Sequence, residues 1–313
     1  MEHHTAGDPI TGLKWTRKTT RKISQKLGKA NLNVSPKTVA RLLKELKFSL
    51  RVNHKKLAGN ANPYRNQQFE YINRMRQRYQ RSGLPVISID TKKKEMLGRF
   101  KNAGATWERN PVLVNDHDFK QDAHGVAVPW GLFETTANRG HIFIGTSHDT
   151  PTFAVAALAR WWTRTGKPCY PQARRLLILA DGGGSNGPRN RAWLHQLQTR
   201  FCNRTGIQVT VCHYPPGTSK WNPIEHRLFG EISKNWAGQP LESYETMLKF
   251  IRTTKTKTGL TVAATLFGGN YPTGVKTSNA QMAEVILQRH RVLPMWNYTI
   301  VPDTVNETRK VKT

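Results

Sequence analysis

In a chain of 313 residues that carries 49 Lys and Arg against 20 Asp and Glu, three carboxylates stand where chemistry could use them. Asp90 closes the β-branched run PVISID, Asp181 closes the apolar run RRLLILAD, and Glu225 follows Pro223 in NPIEHRLFGEISKNW. No cation is spaced to pair all three, and carboxylates brought together repel one another. A shared site therefore calls for a divalent cation. Hard oxygen donors with open positions suit Mg2+ or Mn2+, held jointly with substrate phosphates. One at a time the acids have plainer readings: Asp181 before GGGSNG can open a turn, and Glu225 can complement a helix N-terminus.

The elements that would have to position them can be read from periodicity. PVISID, GVAVPWGLFETT and RGHIFIGTSHDT read as three strands, the last two joined as a hairpin through ANRG. TPTFAVAALARWWTRTG has helical spacing, RRLLILAD reads as a strand buried on both faces, and GPRNRAWLHQLQTRFCNRTG reads as a helix. IQVTVCHYPP is then a strand. NPIEHRLFGEISKNW is a helix with Ile224, Leu228, Phe229 and Ile232 inward. The order βββαβαβα is that of an RNase H-like mixed sheet. In such a sheet the first and fourth strands are neighbours, which brings Asp90 beside Asp181, and the helix after the fifth strand can deliver Glu225 to the same end.

Residues 1 to 84 differ in kind, holding nineteen Lys and Arg against Glu2, Asp8, Glu45 and Glu70. TTRKISQKLGK carries Ile23 and Leu27 four apart; SPKTVARLLKELKFS opens with Ser35 as N-cap and Pro36 at the first helical position. Val39, Leu42, Leu43 and Leu46 form one helical stripe, with Lys37, Thr38, Arg41 and Lys44 off it. Two short helices joined by a tight polar link describe a helix-turn-helix, whose second helix enters the major groove; a small helical bundle has the same pattern. A basic linker, LRVNHKKLAGNANPYRN, precedes a helix with Phe69, Ile72, Met75 and Tyr79 inward and Arg74, Arg76 and Arg78 outward. The expected organisation is a helix-turn-helix DNA-binding segment over 1–50, a basic linker and helix over 51–84, the α/β catalytic domain over 85–250 and a C-terminal extension over 251–313.

A net charge of +29 and a pI near 10.5 exceed what solubility requires and indicate a polyanionic partner, since clustered cations release counterions from phosphates. No apolar run approaches the roughly 20 residues of a spanning helix, so no membrane partner is expected. No signal peptide opens the chain. Cys169, Cys202 and Cys212 are odd in number and lack C-x-x-C spacing, which argues against a disulfide framework or a zinc knuckle and for a reducing cytoplasm.

The strings VISIDTKKKE, LLILADGGGSNG, VTVCHYPPGTSKWNPIEHRLF, YPTGVK and WNYTI resemble those of bacterial insertion-sequence DDE transposases of the ISAzo type, related to the mariner-like supergroup. The likeness runs from LKWTRKTTRKI to about Pro302. It implies that Asp90, Asp181 and Glu225 are the catalytic triad, with Asp90 bridging two Mg2+ or Mn2+ ions and Asp181 and Glu225 each holding one. The implied reaction is metal-dependent cleavage and strand transfer on double-stranded DNA, at element ends and target, without a nucleophilic side chain or ATP. A homodimer in the synaptic complex and a bacterial cytoplasmic location, nucleoid-associated when bound to DNA, follow on the same family grounds.

On that resemblance the neighbours of the acids take roles as well. Lys92, Lys93 and Lys94 would hold scissile or flanking phosphates, or stand as a solvated charge run. Ser185, Asn186 and Arg189 would meet DNA at a helix start, and Lys220 a phosphate, with Trp221 expected in the core. His226 is a metal ligand, a proton shuttle or a surface histidine. Asp149 is expected to cap a helix, and the family pattern leaves it and Glu95 out of the triad. Ser147 stands where the family pattern has an acid, and Pro223 where it has a lysine. Family members carry more sequence before LKWT, including a further helix-turn-helix. The alternative function is therefore a truncated, catalytically silent DNA-binding remnant acting as a repressor.

Overall fold

The computed structural model describes residues 5–7, 14–16, 19–48 and 62–303. The chain divides into two compact units, Met1–Ala58 and Gly59–Thr313. Most of the basic linker expected after residue 50, and the last ten residues of the C-terminal extension, lie outside the described residues.

In the first unit two short strands, β1 (Thr5–Gly7) and β2 (Lys14–Thr16), pair antiparallel. Two helices follow, α1 (Thr20–Gly28) and α2 (Pro36–Glu45). Both start where their side chains dictate: the Thr19 hydroxyl accepts the Lys22 N–H, and the Ser35 hydroxyl accepts the Thr38 N–H with Pro36 in the first turn. Asn31, with φ of 61°, makes the tight link between them. The apolar stripe on α2 is only partly used. Val39 is buried, but Leu42 and Leu46 are 40% and 67% exposed.

The second unit is built on one mixed sheet. Its strands are β3 (Val86–Thr91), β4 (Glu95–Leu97), β5 (Gly125–Glu134), β6 (Arg139–Gly145), β7 (Arg175–Ala180), β8 (Gln208–His213), β9 (Thr261–Phe267), β10 (Leu287–Arg289) and β11 (Asn297–Ile300). They lie in the order β10-β11-β8-β7-β3-β5-β6-β9, with β4 pairing β5 alone. The central five have β3, β5 and β6 antiparallel and β3, β7 and β8 parallel. This is the RNase H-like arrangement expected from the element order. What periodicity did not reveal is the contribution of the C-terminal region. There β9 adds in parallel to β6, and β11 with β10 adds antiparallel to β8, so both edges of the central sheet are covered.

Strand alternation decides which helix each residue meets. On one face Ile87, Ile89, Leu176, Ile178, Val209 and Val211 pack under a helix spanning 151–169, α4, and one spanning 191–205, α5. Each includes a stretch of π turns, Trp162–Gly166 and Leu197–Cys202. On the other face Val86, Leu177, Leu179 and Cys212 meet Ile72 and Tyr79 of α3 (Arg65–Arg81). Phe133, Ile142 and Ile144 meet a helix spanning 223–235, α6, and α7 (Tyr244–Arg252). Leu176 through Ala180 are all fully buried, as a strand covered on both faces should be.

Two glycines let α6 lie close to the sheet. A Cβ on Gly131 would run into the Phe229 ring and come within 2.9 Å of Ile224 Cδ1, and one on Gly140 would meet Leu228. Gly131 pairs across the ladder with Asp90, so the approach of α6 is set directly opposite the first acid. Gly131→Ala is expected to cost about 1–3 kcal/mol through overpacking. Urea titration measures this, and an unchanged midpoint would show that α6 has room to spare.

Candidate active site

Register brings two of the acids together. Ile89 on β3 and Ala180 on β7 are parallel partners, so the next residue on each chain, Asp90 and Asp181, emerges at the same end of adjacent strands. Period-two alternation puts Ser88 and Asp90 on the side facing α6. Glu225, in the first turn of α6, reaches the same place, close enough that its carboxyl and that of Asp90 shift each other's ionisation. Asp90 is 8% exposed, and its Oδ1 accepts the Thr91 N–H at 2.8 Å. Asp181 Oδ1 accepts the Gly183 N–H at 3.3 Å.

Every one of these carboxyls is held above the ordinary carboxylate range. Burial is the largest cause for each. For Asp90 the charges of Asp181 and Glu225 add to it, against the Thr91 N–H. The charge of Asp181 likewise raises Glu225, against the influence of the adjacent Asp90 carboxyl and of Lys92 and His226 nearby. Asp181 is raised further by Asp149. The donor set is all oxygen, anionic and short of positive charge, which suits a hard divalent cation. Among the described residues no three His, Cys, Asp or Glu side chains stand close enough to hold an ion as placed.

Two buried polar networks, neither legible as function in the sequence, surround the acids. Asn222 and Ser88 are fully buried. The Ser88 hydroxyl donates to Asn222 Oδ1 and accepts the Ile224 N–H at 3.4 Å. Asn222 Nδ2 donates to the Ile89 carbonyl at 3.4 Å, and the Asn222 carbonyl accepts the Glu225 N–H at 3.0 Å. Behind Asp181, His213 is wholly buried and its pKa is pushed down to about 4 by burial, against its bond to the Asp181 carbonyl. The neutral ring donates from Nδ1 to that carbonyl at 2.7 Å, which leaves Nε2 to accept the Tyr298 hydroxyl at 3.1 Å. Tyr298 in turn accepts the Trp193 N–H at 3.0 Å. A His at the end of β8, the strand beside the one that leads into Asp181, is the only sequence signal for this chain of bonds, and it does not name its partners.

The cations read from the sequence are distributed unevenly. Lys37, Arg41 and Lys44 are exposed on α2 and line one shallow depression with the half-buried Thr38; Arg41 also lies 3.7 Å from Glu45. Lys93, Lys94, Arg189 and Lys220 are exposed in the second unit. Lys92 is engaged within the fold: its ammonium sits 2.7 Å from Glu95 and 4.7 Å from the centre of the Trp236 ring. Trp221, expected in the core, is 51% exposed, edge-on to Phe69 with Lys220 over its ring. Ser185 and Asn186 are buried, and His226 is exposed. The cap expected from Asp149 is made by Thr150, whose hydroxyl accepts the Phe153 N–H; Asp149 precedes it with a buried Oδ1 that has no hydrogen-bond partner. All three cysteines are free, and no helix of the described residues is long and apolar enough to cross a membrane.

Residues 1–302 match the model of a family described as the Rhodopirellula transposase DDE domain. Among solved structures the chain is similar to the Mos1 transposase paired-end complex with left transposon end, at 15% identity and a TM-score of 0.46 over 75% of this chain and 65% of that one. It is also similar to the Mos1 mariner paired-end complex with Mn, at 15% identity and a TM-score of 0.45 over 75% and 65%. A third likeness is to the Mos1 strand transfer complex, at 16% identity and a TM-score of 0.43 over 79% and 71%. The chain thus spans 65% of the length of the first two Mos1 chains. No curated protein matches it.

Proposed function

This chain belongs to the Rhodopirellula DDE-domain family of transposases, and on that premise we propose that it binds the ends of its insertion sequence and cuts and joins DNA there with a divalent cation. The observation that carries the reading is the meeting of Asp90, Asp181 and Glu225 at one end of the sheet, each with its charge opposed by burial. Asp90, Asp181 and Glu225 would hold Mg2+ or Mn2+, two ions on the family pattern. When bound, they supply Lewis-acid activation of the attacking oxygen and stabilisation of the leaving one.

The chain's own residues do the rest. The exposed Lys93, Lys94, Arg189 and Lys220 draw phosphates to the acids, and Lys92, with its ammonium engaged by Glu95, steadies the segment after Asp90. On α2, Lys37, Thr38, Arg41 and Lys44 are offered to a major groove. Two displacements then suffice. Water breaks a phosphodiester at the element end and leaves a 3′-hydroxyl; that hydroxyl next attacks a target phosphodiester, one P–O bond forming as another breaks. No protein nucleophile is consumed, and two DNA ends held together call for two copies of the chain.

The test is cleavage and strand transfer on labelled duplex carrying the element's own ends, in Mg2+ or Mn2+. Products that require the metal and the cognate ends are the expected result. Specific end binding without products in either metal would replace the enzyme by a DNA-binding repressor.

A further inference from the structure

The site holds one residue that touches the surroundings of two acids at once. Asn222 donates from Nδ2 to the carbonyl of Ile89, the residue joined to Asp90, and its own carbonyl receives the N–H of Glu225. Its Oδ1 is held by the Ser88 hydroxyl, two positions before Asp90, and the same hydroxyl receives the N–H of Ile224. Pro223 then fixes the direction in which α6 leaves, because the residue before a proline is kept extended; Asn222 has φ of −66° and ψ of 120°. Strand and helix are therefore tied at the two points from which Asp90 and Glu225 project.

We propose that Asn222, seated on Ser88, is a positioning residue that sets the separation of Asp90 and Glu225 and so readies the pair to share a divalent cation. The inference rests on the metal-site reading above and adds to it a residue that never touches the cation or the DNA. The amide is specifically required. A carboxylate of the same shape would turn a lone pair toward the Ile89 carbonyl and add a fourth buried negative charge beside the acids. An apolar side chain could fill the space but could not hold either backbone segment. Outer-shell partners of this kind are worth on the order of 10- to 100-fold in metal affinity or activity.

A merely structural role predicts something different, and a paired substitution separates the two. Asn222→Ala leaves the buried Ser88 hydroxyl short of a partner and is expected to lower stability as well as function. Replacing both partners, Ser88→Ala with Asn222→Leu, removes the polar pair while keeping the space filled, and costs less stability than the single truncation because neither side chain is left facing a missing partner. Mn2+ affinity is read on the full chain from the EPR signal of free Mn2+, alongside thermal midpoint and end cleavage. Gln198→Ala, a loss of a fully buried amide that among the described residues bonds Asn203, Val301 and Ile286, serves as the destabilised control.

The expected result is a double variant that melts closer to wild type than Asn222→Ala does yet binds Mn2+ about 10- to 100-fold more weakly than wild type, while Gln198→Ala melts early and keeps its Mn2+ affinity. Recovery of Mn2+ affinity and cleavage together with the thermal midpoint would overturn the proposal and leave Asn222 as packing. A wild type that binds no more Mn2+ than Asp90→Asn would overturn the metal site itself, and the positioning role with it.

Discussion

Asp181→Ala is expected to abolish end cleavage and strand transfer, by on the order of 10³-fold or more, while the chain still binds element ends. The size follows from the chemistry: a carboxylate that helps hold a catalytic cation supports several kcal/mol of transition-state stabilisation, and about 4 kcal/mol is a thousandfold. Binding should survive because the cations offered to DNA, on α2 and along the site's rim, do not depend on Asp181 for their placement. Asp90→Asn should be equally silent, and it carries a second signature. Asp90 is buried and feels the charges of both Asp181 and Glu225, so removing its charge relieves repulsion in the metal-free protein. A variant that is inactive and melts higher than wild type without divalent ions is the expected outcome. An inactive variant that melts lower would mean that the acids are held as a structural cluster.

The second large effect lies at the other end of the β3–β5 ladder and concerns stability alone. Glu134 is 1% exposed and accepts five hydrogen bonds: two from Arg139 at 2.8 Å, one from His141 at 2.9 Å, one from Trp161 at 3.4 Å and one from Tyr170 at 3.3 Å. Those donors come from β6, from α4 and from the turn after it. Glu134→Ala leaves Arg139 and His141 facing an apolar interior, and is expected to cost about 3–5 kcal/mol, read as the shift in urea midpoint at neutral pH. A loss below about 1 kcal/mol would show that water or rearrangement replaces the carboxylate.

The same residue gives a pH dependence. Burial works to raise the Glu134 carboxyl, but the bonds from His141 and Arg139 and the Arg139 charge outweigh it and hold the group down at about 2, against an ordinary 4.5. A depressed folded-state value means that the unfolded chain takes up the proton first. The stabilisation is therefore complete above about pH 4.5 and is lost as pH falls toward 2. Glu134→Gln, which has no charge to lose there, should flatten this part of the stability profile.

The acids were legible because two of them end apolar runs that only a buried strand explains, and the third stands where a proline starts a helix. Sheet order followed from the alternation of strand and helix, and the caps from Ser35 and Pro36. Other features depend on neighbours distant in sequence. Asn222 reads as a loop residue until Ser88, over a hundred positions earlier, is placed against it. Lys92 reads as a free cation until Glu95 and Trp236 close on it. The π turns in α4 and α5 leave no mark in a 3.6-residue pattern, and β9 and β11 take their place from the edges of β6 and β8 that they cover.

That β11 is laid between β8 and β10 bears on the order in which the molecule can be finished. Gln68 on α3 donates to the Asn297 side chain 229 residues later, and Tyr298, on the same strand, completes the chain of bonds behind Asp181. A ribosome adding 5–20 residues per second delivers Asn297 roughly 10–50 s after Gln68. Once β8 has emerged, its outer edge stays bare and the support for Asp181 stays missing until Asn297 and Tyr298 follow, beginning 297 − 213 = 84 residues after the end of β8. The emerging polypeptide has its three acids long before it has a finished place to hold them, and a product that stops short of Asn297 carries the acids with an open strand edge beside them.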